Sequence, residues 1–247
     1  MQATLAPAKG DAAPLKKKHS RFYIAMGVLA LFVVVAGFWP AFVRVVTGGS
    51  TPPIILIHTF VFGCWIALFI FQSVLVAKGN IATHRRMGVA AAILAILMLV
   101  VGYLTAIAGA RRGFDLNGKN DPLAYAVFPL GDLVSFAVLV GVGIYYRNRP
   151  QAHKRLLLLA TIGALMNAPL AHLIAHTPAL QWKGPPAILP MMLVLYFASA
   201  VYDKLKFGRI HPVSLWVAIA LFVWGNFRAV VVYPSKPWHD FAAWLIQ

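Results

Sequence analysis

His172 and His176 lie one helical turn apart in NAPLAHLIAH, the stretch from Asn167 to His176 that closes an otherwise apolar segment. Residues four apart share a helix face. Two imidazoles so placed are first-row metal ligands or, with a partner from another helix, axial ligands of a haem iron. His58 stands near the start of another apolar segment, and Asp132 is a lone carboxylate inside a third, in FPLGDLVSF. Tyr103, Asn167, Asn226 and Arg228 are further polar groups within apolar runs. Three chemistries follow. His58, His172 and His176 ligate zinc, with Asp132 as a further ligand or general base, in a metal-dependent hydrolase acting on a lipid-derived substrate. Alternatively, His58 pairs with His172 or His176 on a b-type haem in an electron-transfer component. Lastly, the polar groups hydrogen-bond one another and hold helices together in a structural or accessory protein.

The elements that must position these groups are membrane helices. Hydrophobic residues make up 61% of the 247 positions, mean hydropathy is +0.78 and charged residues are 11%, against about 25% in a soluble domain. A span needs about 20 apolar residues. Seven segments qualify: residues 22–46, 53–77, 87–110, 122–146, 155–176, 186–202 and 213–233. The sequence therefore predicts an all-α, polytopic membrane helix bundle. Residues 1–20 form a disordered basic cytoplasmic tail, and 21–247 a single transmembrane domain. The one cysteine, Cys64, lies in an apolar run and reads as a small core residue.

The net charge is +16, with 22 Lys and Arg against six Asp and no Glu. In a soluble chain that balance would suggest nucleic acid; here it reads as cytoplasmic-loop charge, with no nucleic-acid partner. With the N-terminus inside, inner segments carry 15 basic residues and the outer ones, which include Lys119 and Lys183, carry five. This predicts an N-in, C-out protein of the cell inner membrane, with Trp39, Trp182, Trp238 and Trp244 in the outer aromatic belt. At about 1.5 Å rise per residue, His58, Tyr103, Asp132, Asn167, His172, His176, Asn226 and Arg228 all fall in the outer half of the bilayer. A charge at that depth faces a partner or a wet cavity. Arg228 is the obvious cation for Asp132, and a polar pocket open to the outer side is expected between helices two, three, four, five and seven.

An internal repeat adds a second layer. AKGNIATHRRMG (Ala77 to Gly88) aligns with YRNRPQAHKRLL (Tyr146 to Leu157), setting His84 over His153 and Arg86 over Arg155. Residues 53–110 and 122–177 then form a parallel repeat. His84 and His153 either anchor helix ends against anionic lipid headgroups at the inner face or act as inner ligands or a proton relay.

The stretch IHTFVFGCWIALFIFQSVLVAKGNIATHRRMGVAAAI (Ile57 to Ile93), with HKRLLLLAT further on, resembles a group of bacterial multi-pass inner-membrane proteins of uncharacterised activity. They share a histidine at the second helix start and the repeated His-Arg-Arg and His-Lys-Arg helix starts; the likeness covers most of residues 54–212 and implies no known activity. His58, the Gln72 region and His84 also resemble the histidine spacing of cytochrome b561. That resemblance implies two haems near opposite faces, held by histidines on four consecutive helices, so that His58 would serve an outer haem and His84 an inner one. The fourth helix holds no histidine, so the partners would be His172 or His176 outside and His153 inside, all on the fifth. Walker A, G-x-G-x-x-G and G-x-S-x-G motifs are absent.

Overall fold

The computed structural model describes residues 13–114, 121–181 and 188–247. Residues 1–12 of the expected tail, and Lys119, Trp182 and Lys183, lie outside them. Among the described residues eleven α-helices follow in order: α1 (Ala13–Val46), α2 (Pro53–Ala77), α3 (Ile81–Arg111), α4 (Pro122–Tyr125), α5 (Val127–Tyr145), α6 (Pro150–Leu159), α7 (Asn167–His176), α8 (Pro178–Gln181), α9 (Ile188–Phe207), α10 (Pro212–Phe227) and α11 (Lys236–Leu245). They build seven helical stretches long and apolar enough to cross a membrane, Arg21–Val46, Pro53–Ala77, Ile81–Arg111, Pro122–Asn148, Pro150–His176, Ile188–Phe207 and Pro212–Val232. The chain is an integral, multi-pass α-helical membrane protein. Its first helix, Ala13–Val46, includes residues 13–20. The third, fifth and sixth spans each run five or six residues further toward the α1 start than the apolar runs alone indicate.

Local chemistry sets the helix ends. α2, α4, α6 and α10 each start on proline, whose missing N–H and fixed φ suit the first turn. The Asn80 side chain accepts from the Thr83 N–H (3.2 Å) to cap α3, directly after Gly79, whose φ of 76° closes α2 in the left-handed conformation. That three-residue reversal places α3 antiparallel beside α2.

The fifth span is the axis of the bundle. Of its most apolar window 61% is buried, against 17–33% in the other six spans. It is not one regular helix. α6 passes into a π turn at Ala160–Ala164, bends at Leu165 and Met166, and resumes as α7. Gly37 of α1 crosses α7 so closely that a Cβ there would collide with the Pro169 carbonyl oxygen. A larger residue would force the two helices apart. Trp65 of α2 donates its indole N–H to Thr161 Oγ1 (3.1 Å) within the π turn. The outward faces carry Phe32, Phe60, Ile93, Val194 and Leu205, all more than 60% exposed. With no water in the hydrocarbon region to oppose it, apolar surface of this kind belongs against lipid.

Helix α11 lies beyond the seventh span. It is ten residues long, with Trp238, Phe241 and Trp244 on one side, and a search for 20-residue apolar runs passes over it. Trp238 donates to the Ala124 carbonyl (3.1 Å) and Arg111 to that of Ile246 (2.7 Å), so α11 packs across the ends of α3 and α4. Its aromatic-rich amphipathic face suits the membrane interface.

Candidate functional site

Buried polar groups gather in two layers, one at each end of the bundle. The end at which α1 begins is called the basic end here, after its Arg- and Lys-rich turns.

At the opposite end Asp132 and Arg228 form an ion pair (2.8 Å), with side chains 13% and 4% exposed. Asn167 donates to the same carboxylate oxygen (2.8 Å), and a second guanidinium nitrogen donates to the Phe128 carbonyl (2.8 Å). Arg228 begins the π turn Arg228–Val232, and its guanidinium lies 5.5 Å from the Trp224 ring centre. The Trp224 N–H donates to the Gly131 carbonyl (3.3 Å). A Cβ on Gly131 would collide with the guanidinium, so the glycine of FPLGDLVSF is what lets the arginine lie against the α5 backbone. The pairing of Asp132, Arg228 and Asn167 follows the expectation from depth. What they form is a packed network rather than the expected open pocket.

The remaining residues expected there are placed differently. Tyr103 is 41% exposed on the outer surface of α3, and Asn226 donates to the Phe222 carbonyl of its own helix (2.8 Å). Neither lines a pocket with Asp132. His58 stacks on Phe62 (ring centres 4.0 Å apart), and its buried Nδ1 has no hydrogen-bond partner among the described residues. His172 lies between Phe38 (4.7 Å) and Phe114 (6.4 Å), with His176 5.9 Å away. Among the described residues no three His, Cys, Asp or Glu side chains are grouped to hold a metal ion. The zinc set His58, His172, His176 and Asp132 is therefore not assembled, and no ring contact joins His58 to either histidine of α7. Depth along each helix put them in the same half of the bilayer; rotation about each axis turned them to different neighbours.

The basic end holds the second layer. Arg155 of α6 and Asp203 of α9 pair through both guanidinium and carboxylate, with side chains 3% and 0% exposed. Ser214 of α10 donates to Asp203 (2.6 Å), Ser199 lies 3.0 Å from Ser214, and Gln151 accepts twice from Arg155 (2.7 and 2.8 Å). Every charge-bearing atom has a partner, as a buried pair requires. Asp203 escapes a reading by apolar runs because it follows Tyr202, where the apolar stretch ends. Its signal is composition: it is one of six acids in a chain of 22 cations.

Beside this layer, His84 and His153 approach each other with ring centres 6.3 Å apart. The Gln72 side chain bridges the first of them. Its amide nitrogen donates to the His84 carbonyl (3.3 Å), so its oxygen faces the ring and accepts from Nδ1 (2.7 Å). His153 Nδ1 lies 2.8 Å from the Gly143 carbonyl, which can only accept. Both rings thus carry a proton on Nδ1, which leaves Nε2 as the nitrogen that a neutral ring would offer to a ligand.

His211, in the turn between α9 and α10, accepts from the Val213 N–H at Nδ1 (3.2 Å) and so caps α10. The bond requires a neutral ring. Burial first, and then the Arg155 charge, hold its pKa below the usual 6.5; Lys154 and Arg209 add to this and Asp203 opposes it. As pH falls, the unfolded chain takes up this proton before the folded one does. Stability from this group is complete above the unfolded pKa of about 6.5 and is lost as pH drops from there toward the folded value. Thermal unfolding between about pH 7.5 and 5 should show a smaller acid-side loss in His211→Asn, which keeps a capping acceptor without titrating. An identical pH profile in the variant would refute this role.

Fold and site together define an integral membrane helix bundle with two buried ion-pair layers. No family model, curated protein or solved structure matches the chain.

Proposed function

We propose that this protein is a membrane redox component in which His84 and His153 would hold one b-type haem at its basic end. The observation that carries the reading is the His84–His153 pair itself. Their ring centres stand 6.3 Å apart with the ring planes at 78°, near enough for imidazoles of α3 and α6 to reach one metal ion. The donor chemistry also fits. A ligating histidine gives its second N–H to a carbonyl or similar acceptor, which fixes the tautomer and makes the ligand nitrogen more basic. Gln72 and Gly143 supply such acceptors. Both rings are half-buried. Haem iron supplies one-electron transfer, at a potential set by its axial ligands and their hydrogen bonds. In this chain Gln72 orients His84, and the Arg155–Asp203 layer fixes α6, the helix that bears His153.

The excess of basic residues at this end favours an N-in orientation in the cell inner membrane, with His84 and His153 at the cytoplasmic side. Protein purified in detergent from haem-replete cells is expected to show a Soret band. His84→Ala and His153→Ala should each abolish it, while His58→Ala and His172→Ala should retain it. Colourless protein, or a band lost with His58 and kept without His153, would overturn the assignment.

The Asp132–Arg228–Asn167 network supports a structural role for the opposite end. Its charges are paired with each other, and one buried nitrogen, Arg228 Nε, has no hydrogen-bond partner among the described residues.

A further inference from the structure

Two adjoining cavities, of about 440 and 340 Å³, lie at the basic end and share Tyr146 and Arg149. The larger is lined by the first turn of α6 (Pro150, Gln151, Ala152), by His211 and by Val213 of α10. We propose that this cavity binds the phosphate of an anionic phospholipid headgroup, with the Arg149 guanidinium and the His211 Nε2–H as its donors. The proposal is independent of what His84 and His153 hold.

Charge balance is the first support. Asp203 is the acid beside this cavity, and Arg155, Ser214 and the His211 backbone N–H already engage it. Arg149 forms no ion pair among the described residues, and its guanidinium rests 5.4 Å from the Tyr146 ring centre. Because His211 accepts at Nδ1, the proton of its neutral ring sits on Nε2 and is free to donate. The cavity thus carries one unpaired cation and one neutral donor. Two helix N-termini, those of α6 and α10, border it, and both of their dipoles favour an anion there. α6 has no side-chain cap that would already occupy its end.

Position selects a lipid over a dissolved phosphate. The cavity lies at the ends of the fourth, fifth and seventh spans, at the level where headgroups sit. Tyr145, 76% exposed, and Tyr146 stand beside it, as tyrosines do at a membrane interface. A phosphodiester can reach Arg149 from this level with its acyl chains left along the apolar surface.

The test uses the whole protein in detergent, titrated with phosphatidylglycerol, phosphatidylcholine or inorganic phosphate, with thermal unfolding and native mass spectrometry as readouts. Phosphatidylglycerol should stabilise the wild type and remain bound, and phosphatidylcholine should not. Arg149→Gln should weaken phosphatidylglycerol binding about tenfold, the size of one hydrogen bond to a charged group, and Arg149→Lys should recover part of it. Arg86→Gln removes a basic residue of α3 that does not line the cavity and should bind as wild type. Equal losses in Arg86→Gln and Arg149→Gln would show diffuse attraction to a basic face and overturn the site. Equal protection by inorganic phosphate alone would overturn the lipid assignment in favour of a soluble phosphate. Should Arg149→Gln unfold on its own, wild-type binding in Arg149→Ala or His211→Asn would still refute the proposal.

Discussion

Asp203→Ala is expected to lower unfolding stability by about 3–5 kcal/mol, the cost of leaving one member of a buried ion pair uncompensated. The Arg155 guanidinium would stay sealed among α6, α9 and α10, with only the Gln151 and Ser214 oxygens to meet it. Asp203 also joins three elements, since it accepts from Arg155, from Ser214 and from the His211 N–H. Its removal should therefore loosen α9 against α10 as well as α6. The double variant Asp203→Ala/Arg155→Leu should recover a large part of the loss, because apolar replacement of a whole buried pair is often neutral. Thermal unfolding of the detergent-solubilised singles and the double would give the coupling directly. Equal, additive losses would show that the pair is not the unit that holds this end together.

Asp132→Leu should act at the other end with a comparable loss of about 3–5 kcal/mol. Arg228 is 3% exposed and has one carboxylate partner. Its other acceptor, the Phe128 carbonyl, is neutral and does not balance the charge. Asn167 would lose its acceptor at the same time, on the segment that resumes the fifth span after the π turn. Asp132→Asn retains an acceptor for Arg228 and should cost clearly less. Asp132→Leu/Arg228→Leu should again recover stability, provided the network is structural. If the double variant folds as wild type yet abolishes a haem band, the opposite end also takes part in function. A wild-type spectrum in that variant would leave the chemistry with His84 and His153.

Seven spans were legible in the sequence because the hydrocarbon thickness demands about 20 apolar residues per crossing, and nothing in the bundle relaxes that. The Asp132–Arg228 pair was legible for a related reason. A carboxylate at membrane depth must find a cation, and within the spans only Arg44 and Arg228 were at hand. Asp203 was not legible, because its helix runs past the apolar stretch to Phe207 and carries it into a buried place that its neighbours Lys204 and Lys206 do not share. Nor was α11, whose ten amphipathic residues give no span signal.

The histidines mark the boundary between the two kinds of information. Rise per residue places His58, His172 and Asp132 in the same half of the bilayer, and the sequence by itself determined that much. Azimuth around each helix, and the π turn and bend within the fifth span, depend on how side chains pack between helices. Only the tertiary structure could decide those. It set His58 on Phe62 and His172 between Phe38 and Phe114, and it turned His84 and His153 toward each other with Gln72 and Gly143 behind them.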